Sequence, residues 1–334
     1  MSTRELSPDW FKSAVVYQIY PRSFADSNGD GYGDVPGIIS KLDYLKTLGV
    51  DVIWLSPIYK SPQDDNGYDI SDYQDIDPMF GSLEQVRQLF DEVHTRGMKI
   101  VMDLVVNHSS DEHAWFVESA SSKDNPKADW YIWSDEADDL YAYFGGGAWE
   151  WVEARQQYYF HQFSKKQPDL NWENDDVRAA VYKMMNWWVE QGVDGFRMDV
   201  INLISKDWSK KDQGTWQMCQ NGPRVNEWLQ EMNREVLAGK NLITVGEMPG
   251  CTIEHARDYT DPNRNELNMV FTFEHMDLDG TVGMSKFDYS KMHLPDLKAN
   301  LNKWQKGLES VGWNSLYWNN HDQPRIVSRW GNDG

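Results

Sequence analysis

Cysteine is nearly absent: the 334 residues hold two, Cys219 and Cys251. Two thiols cannot build the disulfide framework that staples small secreted domains. The chain is therefore expected to fold on its apolar core, in a reducing, cytoplasmic setting. Basic residues are also scarce. There are 32 Lys and Arg against 53 Asp and Glu, a net charge of −21. A polyanion needs a basic face to bind, so nucleic acid and anionic membrane are not expected partners. No apolar run approaches the roughly 18 residues of a membrane span. The start, Met1 to Glu5, lacks an apolar signal region. Internal repeats and low-complexity tracts are missing, and nothing reads as a linker between folding units.

What the chain does have is aromatic residues: 17 Trp, 16 Tyr and 12 Phe. A disordered chain would not carry so many. The surplus beyond a core suits a site that stacks on sugar faces. Strand-like runs stand at 15–20 (VVYQIY), 50–56 (VDVIWLS) and 99–106 (KIVMDLVV). Helical spacing appears at 37–49 and, behind the cap Ser82, up to Gly97. Such alternation predicts a parallel sheet or barrel. It pauses at 107–174, which is rich in Trp, Tyr, Asp and Gly. That stretch is expected to be an irregular insertion leaning over the strands' C-terminal ends. Helix 175–191, strand 193–200, helix 223–237, strands 242–248 and 268–273, helix 294–308 and strand 314–318 follow. The expected division is 1–106 and 175–334 as barrel, with 107–174 inserted after the third strand. Seven candidate strands are one short of the eight that close such a barrel.

The polar residues fall where the strands should end. Asp103/His108, Arg197/Asp199, Glu247 and His321/Asp322 each close a candidate strand, and the loop with Asp65 and Tyr68 follows the second. In a parallel barrel all these ends open on one face. Arg197 and Asp199 lie two residues apart, on one side of a strand. The spacing predicts that Arg197 keeps Asp199 ionised, as a covalent nucleophile requires. Glu247 sits on an apolar strand and is the better candidate for a raised pKa. Paired carboxylates of unequal pKa in an aromatic cleft suggest glycoside hydrolysis. Asp322 would add negative charge for an oxocarbenium-like transition state, and His108 and His321 would donate to sugar hydroxyls. Separately, Asp26, Asn28, Asp30 and Asp34 place oxygens at every second residue of a glycine-rich loop, with the Tyr32 carbonyl between. That is the first part of a calcium loop, without the bidentate Glu of an EF-hand, and calcium or magnesium is the expected ion.

Four stretches, DLVVNH (103–108), GFRMDVIN (195–202), GEM (246–248) and NNHDQ (319–323), resemble the signature regions of the α-amylase family, glycoside hydrolase family 13. QPDLN (167–171), SPQDDNGYDISDY (61–73) and GWNSLYWNNHDQPR (312–325) are similar to its oligo-1,6-glucosidase subfamily. The resemblance covers essentially the whole chain. It implies a (β/α)8 TIM barrel and a retaining mechanism. Asp199 would be nucleophile, Glu247 general acid/base and Asp322 transition-state stabiliser, with the working pair roughly 5–5.5 Å apart. Asp65, Tyr68, His108, Arg197 and His321 would hold the terminal glucose, with Phe163 stacking nearby. Asp26, Asn28, Asp30, Tyr32 and Asp34 match the family's calcium loop. Val200, after the nucleophile, resembles enzymes that prefer α-1,6 links. The implied substrates are isomaltose, isomalto-oligosaccharides and panose.

Family members continue through an eighth strand and a C-terminal β-domain, so a longer enzyme or a second completing fragment is expected. Rival activities on the same fold are α-1,4-glucosidase, sucrose isomerase and trehalose-6-phosphate hydrolase. A non-enzymatic relative, the ectodomain of transporter heavy chains, lacks the full carboxylate set that this sequence retains.

Overall fold

A computed structural model describes residues 9–280 and 290–331. Six parallel strands, β1 (Val16–Ile19), β2 (Val52–Leu55), β3 (Lys99–Leu104), β4 (Gly195–Met198), β5 (Ile243–Glu247) and β6 (Met269–Phe271), form one sheet in chain order. This is the architecture of a (β/α)8 barrel over its first six strands. Both faces of β2 and β4 are buried along their whole length, as parallel sheets with covered faces require.

The period-2 alternation of each strand sorts its residues. Ile53, Leu55, Ile100, Met102, Phe196 and Met198 face outward onto the helices. There they join Val86, Leu89, Phe90 and Val93 of α1 (Leu83–Thr95) and Val181, Met185 and Trp188 of α2 (Asp175–Gln191). Val52, Val101, Ile243 and Met269 face inward and pack with Phe11 at the N-terminal end. Further toward the C-terminal end the inward positions include Gln18, Trp54, Asp103, Arg197 and Glu247. Strand register sets Gln18 beside Trp54 and Asp103 beside Arg197. The barrel is therefore oily at one end and ionic at the other.

Local chemistry starts and stops the helices. Ser82 and Gln85 form a reciprocal capping box on α1, and Asn174 caps α2, which ends at Gly192 in the left-handed region. Gly195 opens β4 at φ +154°, where any Cβ would lie 1.8 Å from the Ile243 carbonyl oxygen. Only glycine lets β4 and β5 approach so closely.

Three elements differ from expectation. The helix over 37–49 is two pieces, Val35–Ser40 and Leu42–Leu48, broken at Lys41 (φ −106°, ψ 1°). Ser40 Oγ donates to the Gly37 carbonyl (2.6 Å), a local bond that competes with the helix ladder. The polar stretch after β4 carries short helical turns at Trp208–Gln213 and Thr215–Cys219. The expected seventh strand at 314–318 makes one parallel bridge, Val270 to Asn314, and no ladder. Its Tyr317 carbonyl is taken by His275 Nε2 (2.8 Å), and the Tyr317 ring packs on Phe271 and Phe273. Between this segment and β1 runs a slot of about 500 Å³, lined by Val16, Val245, Phe271 and Trp313.

Residues 107–174 hold the helix Ala114–Ser121 and a three-stranded antiparallel sheet with Gln157–Phe160 between Trp133–Ser134 and Trp149–Val152. Phe116 packs edge-on against Tyr131 and Tyr159 to form a local core. The two ends of the segment meet: His108 bridges Asp169, and the Leu170 amide donates to the Asn107 carbonyl (2.9 Å). That closure places His108 and Phe163 over the ionic end of the barrel.

Candidate active site

A cavity of about 640 Å³ opens at the C-terminal ends of the strands. Asp65, Tyr68, His108, Phe163, Asp199, Val200, Glu247, His321 and Asp322 all line it. Arg197 lies beneath, 2% exposed. Its guanidinium organises the floor. Nη1 donates to Asp103 Oδ1 (2.8 Å) and Asp199 Oδ1 (2.6 Å), while Nη2 stands 2.7 Å from Glu247 Oε2. The Nη2 contact is electrostatic rather than an aligned hydrogen bond. The Glu247 oxygen instead accepts from the Val200 amide (3.0 Å). Val200 presents that amide from φ +35°, ψ +40°, a left-handed conformation that a β-branched residue adopts only under strain.

Burial opposes the charge on Arg197, but Asp103 and Glu247 outweigh it and hold the guanidinium firmly protonated. The expectation for Asp199 needs correction. Burial pushes its carboxyl well up; Arg197 opposes that, while Glu247 and Asp103 add to it. One guanidinium is shared among three carboxylates in a dry place, so its pull on Asp199 does not offset the cost of burying that charge.

The remaining side chains are fixed by neighbours. Tyr68 Oη and Trp54 Nε1 both donate to Asp103 Oδ2 (3.0 Å each). Burial pushes His108 down to about 4, so its ring is neutral. Gln167 Nε2 donates to Asp65 Oδ2 (2.8 Å), yet burial lifts Asp65 to about 6. Phe163 packs against His108 with ring centres 5.2 Å apart. His321 Nε2 lies 3.2 Å from Asp322 Oδ2, and the ring stacks on Tyr68 at 5.1 Å.

Several partners here were not singled out in the sequence. Trp54 sits in the apolar run VIWL and reads as core, although its ring also lies 4.9 Å from the Arg197 guanidinium carbon. Lys206, in a polar loop, is buried against Asp169 Oδ2 (2.8 Å) and Asn107 Oδ1 (2.9 Å). Gln18 had a usable signal: it is the one uncharged amide in an otherwise apolar and aromatic strand.

The loop 26–34 lies apart from the cavity. Asp26 accepts from the amides of Asn28 (3.0 Å), Gly29 (2.7 Å) and Gly31 (2.9 Å); Asn28 and Asp30 each accept from the amide two residues on. Asp34 accepts from Gly37 N and Ser27 Oγ (2.7 Å each). Among the described residues, no three acidic, His or Cys side chains converge as a metal cage. The oxygen donors and turn geometry suit a hard cation, but the carboxylates point into their own backbone.

A sequence model of the alpha amylase catalytic domain matches residues 18–334. The chain belongs to the α-amylase family. Among its relatives, an oligo-1,6-glucosidase of Parageobacillus thermoglucosidasius is 60% identical over 97% of this chain and 60% of its own length. A glucan 1,6-alpha-glucosidase of Streptococcus pneumoniae is 55% identical, covering 97% and 60%. The crystal structure of Bacillus licheniformis trehalose-6-phosphate hydrolase superposes with a TM-score of 0.94 at 50% identity, over 97% of this chain and 60% of that one. The chain thus spans about 60% of the length of these α-amylase family relatives. Among the described residues, no helix is long and apolar enough to cross a membrane, and Cys219 and Cys251 are both free.

Proposed function

We propose that this protein acts as a retaining, exo-acting α-glucosidase on terminal α-1,6 bonds of isomalto-oligosaccharides such as isomaltose and panose. The observation that carries the reading is the shared guanidinium: Asp199 and Glu247 meet two nitrogens of Arg197 at the floor of one cavity. A double-displacement glycosidase needs two carboxylates at one scissile bond, one ionised and one protonated, and this pair stands together in the cavity. Asp199 attacks the anomeric carbon while Glu247 gives its proton to the leaving oxygen. Glu247 then takes a proton from water, which releases α-glucose. Asp322 stabilises the positive charge that develops on the sugar. Asp65, Tyr68, His108 and His321 hold the terminal glucose, with Phe163 against it. Val200, lining the same cavity, narrows the space beside the scissile oxygen and disfavours α-1,4 aglycones.

The relatives named as 1,6-glucosidases support the linkage. The likeness to trehalose-6-phosphate hydrolase favours a second reading, so both belong in one assay. Glucose release is followed from isomaltose, maltose and trehalose-6-phosphate at equal concentration. Fastest turnover of isomaltose is expected. Faster maltose turnover would sink the role of Val200, and a preference for the phosphorylated sugar would replace the proposal. Polarimetry or NMR of the first product should show the α-anomer.

We also propose a reducing, cytoplasmic setting, which the two free thiols support, and a structural calcium or magnesium ion on the loop. Asp26, Asn28, Asp30 and Asp34 side chains with the Tyr32 carbonyl would hold it, after their carboxylates turn from backbone to ion. Calcium should raise the melting temperature of the chelator-treated chain, and Asp30→Ala should abolish the rise. An unchanged melting temperature would reject the metal.

A further inference from the structure

We infer that Gln18 is a positioning residue, its side-chain amide holding the His321 ring in the tautomer that carries its proton on Nε2, toward Asp322 and the cavity. The inference rests on the proposed glycosidase reading only for its catalytic consequence. Gln18 stands on β1, at an inward position beside Trp54. Its Nε2 lies 2.8 Å from His321 Nδ1 and 2.9 Å from Ser56 Oγ. Ser56 is itself buried and tied to β1, its amide donating to the Ile19 carbonyl (3.1 Å). Both hydrogens of the amide nitrogen are thus engaged. An amide nitrogen donates and does not accept, so this placement of the Gln18 amide assigns the facing imidazole nitrogen as the bare one.

The other end of the ring demands the same. Nε2 lies 3.2 Å from Asp322 Oδ2, a carboxylate oxygen able to accept a hydrogen bond. Aromatic rings flank the imidazole and restrain its rotation. It lies nearly parallel to Tyr68 (13°) and Tyr20 (3°), with Trp54 edge-on. A proton on Nδ1 would set two donors against each other at Gln18 and two acceptors at Asp322.

The ring also stays uncharged. Burial pushes His321 down, and Arg197 of β4 acts the same way. Asp322 on its own segment, Asp103 of β3 and Glu247 of β5 pull it up without prevailing. Tyr20 and Tyr68 are the other titratable groups against it, and both phenols are pushed above their usual range by burial. A neutral ring with one fixed N–H can donate to Asp322 or to a sugar hydroxyl without adding positive charge where an oxocarbenium ion must form.

The test uses the full chain labelled with 15N histidine. The His321 signals are identified by their loss in His321→Asn. Long-range proton–nitrogen correlation near neutral pH should show a bare Nδ1 and a protonated Nε2. Gln18→Glu, which offers an acceptor in place of the donor, should move the proton to Nδ1 or charge the ring. Gln18→Leu should leave mixed tautomers. Each variant should lose about tenfold in kcat/KM, the worth of one neutral buried hydrogen bond. The loss should be concentrated where His321 titrates in the pH profile. A protonated Nδ1 in the unmodified chain overturns the assignment. So does a Gln18→Glu chain with the same tautomer and kcat/KM. The tautomer is read without substrate, so the spectrum decides Gln18 whether or not the proposed function holds. Should Gln18→Glu fail to fold, the unmodified spectrum alone settles it.

Discussion

Arg197 is asked to neutralise more charge than it has. With Asp103, Asp199 and Glu247 all on one guanidinium, the proposed nucleophile and the proposed proton donor are fixed at one point of the cavity floor. Glu247→Gln removes that proton donor and should lower kcat by about 10²–10⁴-fold on isomaltose. An aryl glucoside, whose leaving group needs little protonation, should lose far less in the first step. An equal loss on both substrates, measured by burst kinetics, would remove Glu247 from the acid role. Asp65 makes a different case. Its carboxyl is lifted to about 6, chiefly by burial, so the folded state binds a proton that the unfolded state releases nearer pH 4. Stability from this group is present at low pH and is lost as pH rises through that interval. Asp65→Asn should therefore melt about 2 °C or more higher at pH 7 while raising KM for isomaltose. A lower melting temperature at pH 7 would refute this. At this scale the sequence was legible where a charge interrupts an apolar strand, as at Asp199 and Glu247. It was silent on Trp54 and Lys206, whose partners Asp103 and Asn107 lie far along the chain, and it could not see that Arg197 is shared.

The elements that bear the site are tied at points remote from it. Lys206, in the loop after β4, is buried against Asp169 and Asn107, at the two ends of the segment that covers the cavity. Asp169 also accepts from the Gln162 amide nitrogen (2.9 Å) and has no exposed surface. Lys206→Met leaves that carboxylate without its cation, a change that costs about 3–5 kcal/mol. The expected result is a melting temperature lower by several degrees, with tryptophan fluorescence shifting first because Trp149 and Trp208 stack across the same boundary. Adding Asp169→Asn should recover part of the loss; no recovery would mean that the lysine stem, not its charge, fills the site. The elements themselves were readable from composition. Parallel strands buried on both faces are apolar runs, and capped helices announce their ends at Ser82 and Gly192. Where side chains capture backbone groups, reading failed: Ser40 on Gly37 split one helix, and His275 on Tyr317 replaced a strand ladder.

Taken as a whole, the molecule is a negatively charged body around a barrel that is apolar at one end and ionic at the other. The α/β alternation made its architecture legible, because short apolar runs followed by 3.6-period helices admit few folds. Its charge is equally plain in the sequence and has a consequence for stability. With 53 acidic and 32 basic side chains, acidic charge is in excess, and the compact state gathers charges that the unfolded chain spreads apart. The paired groups that matter most, Arg197 and Lys206 with their carboxylates, are buried and poorly reached by salt, whereas the excess is on the surface. Screening should act mainly on the repulsion. The Debye length falls from about 30 Å at 0.01 M salt to about 10 Å at 0.1 M, so the melting temperature should climb by a few degrees between those concentrations of sodium chloride. A chelator kept present throughout separates this from any divalent ion on the 26–34 loop. A melting temperature that falls over the same range would mean that exposed ion pairs, such as Arg96 with Asp43 and Glu92, outweigh the net charge.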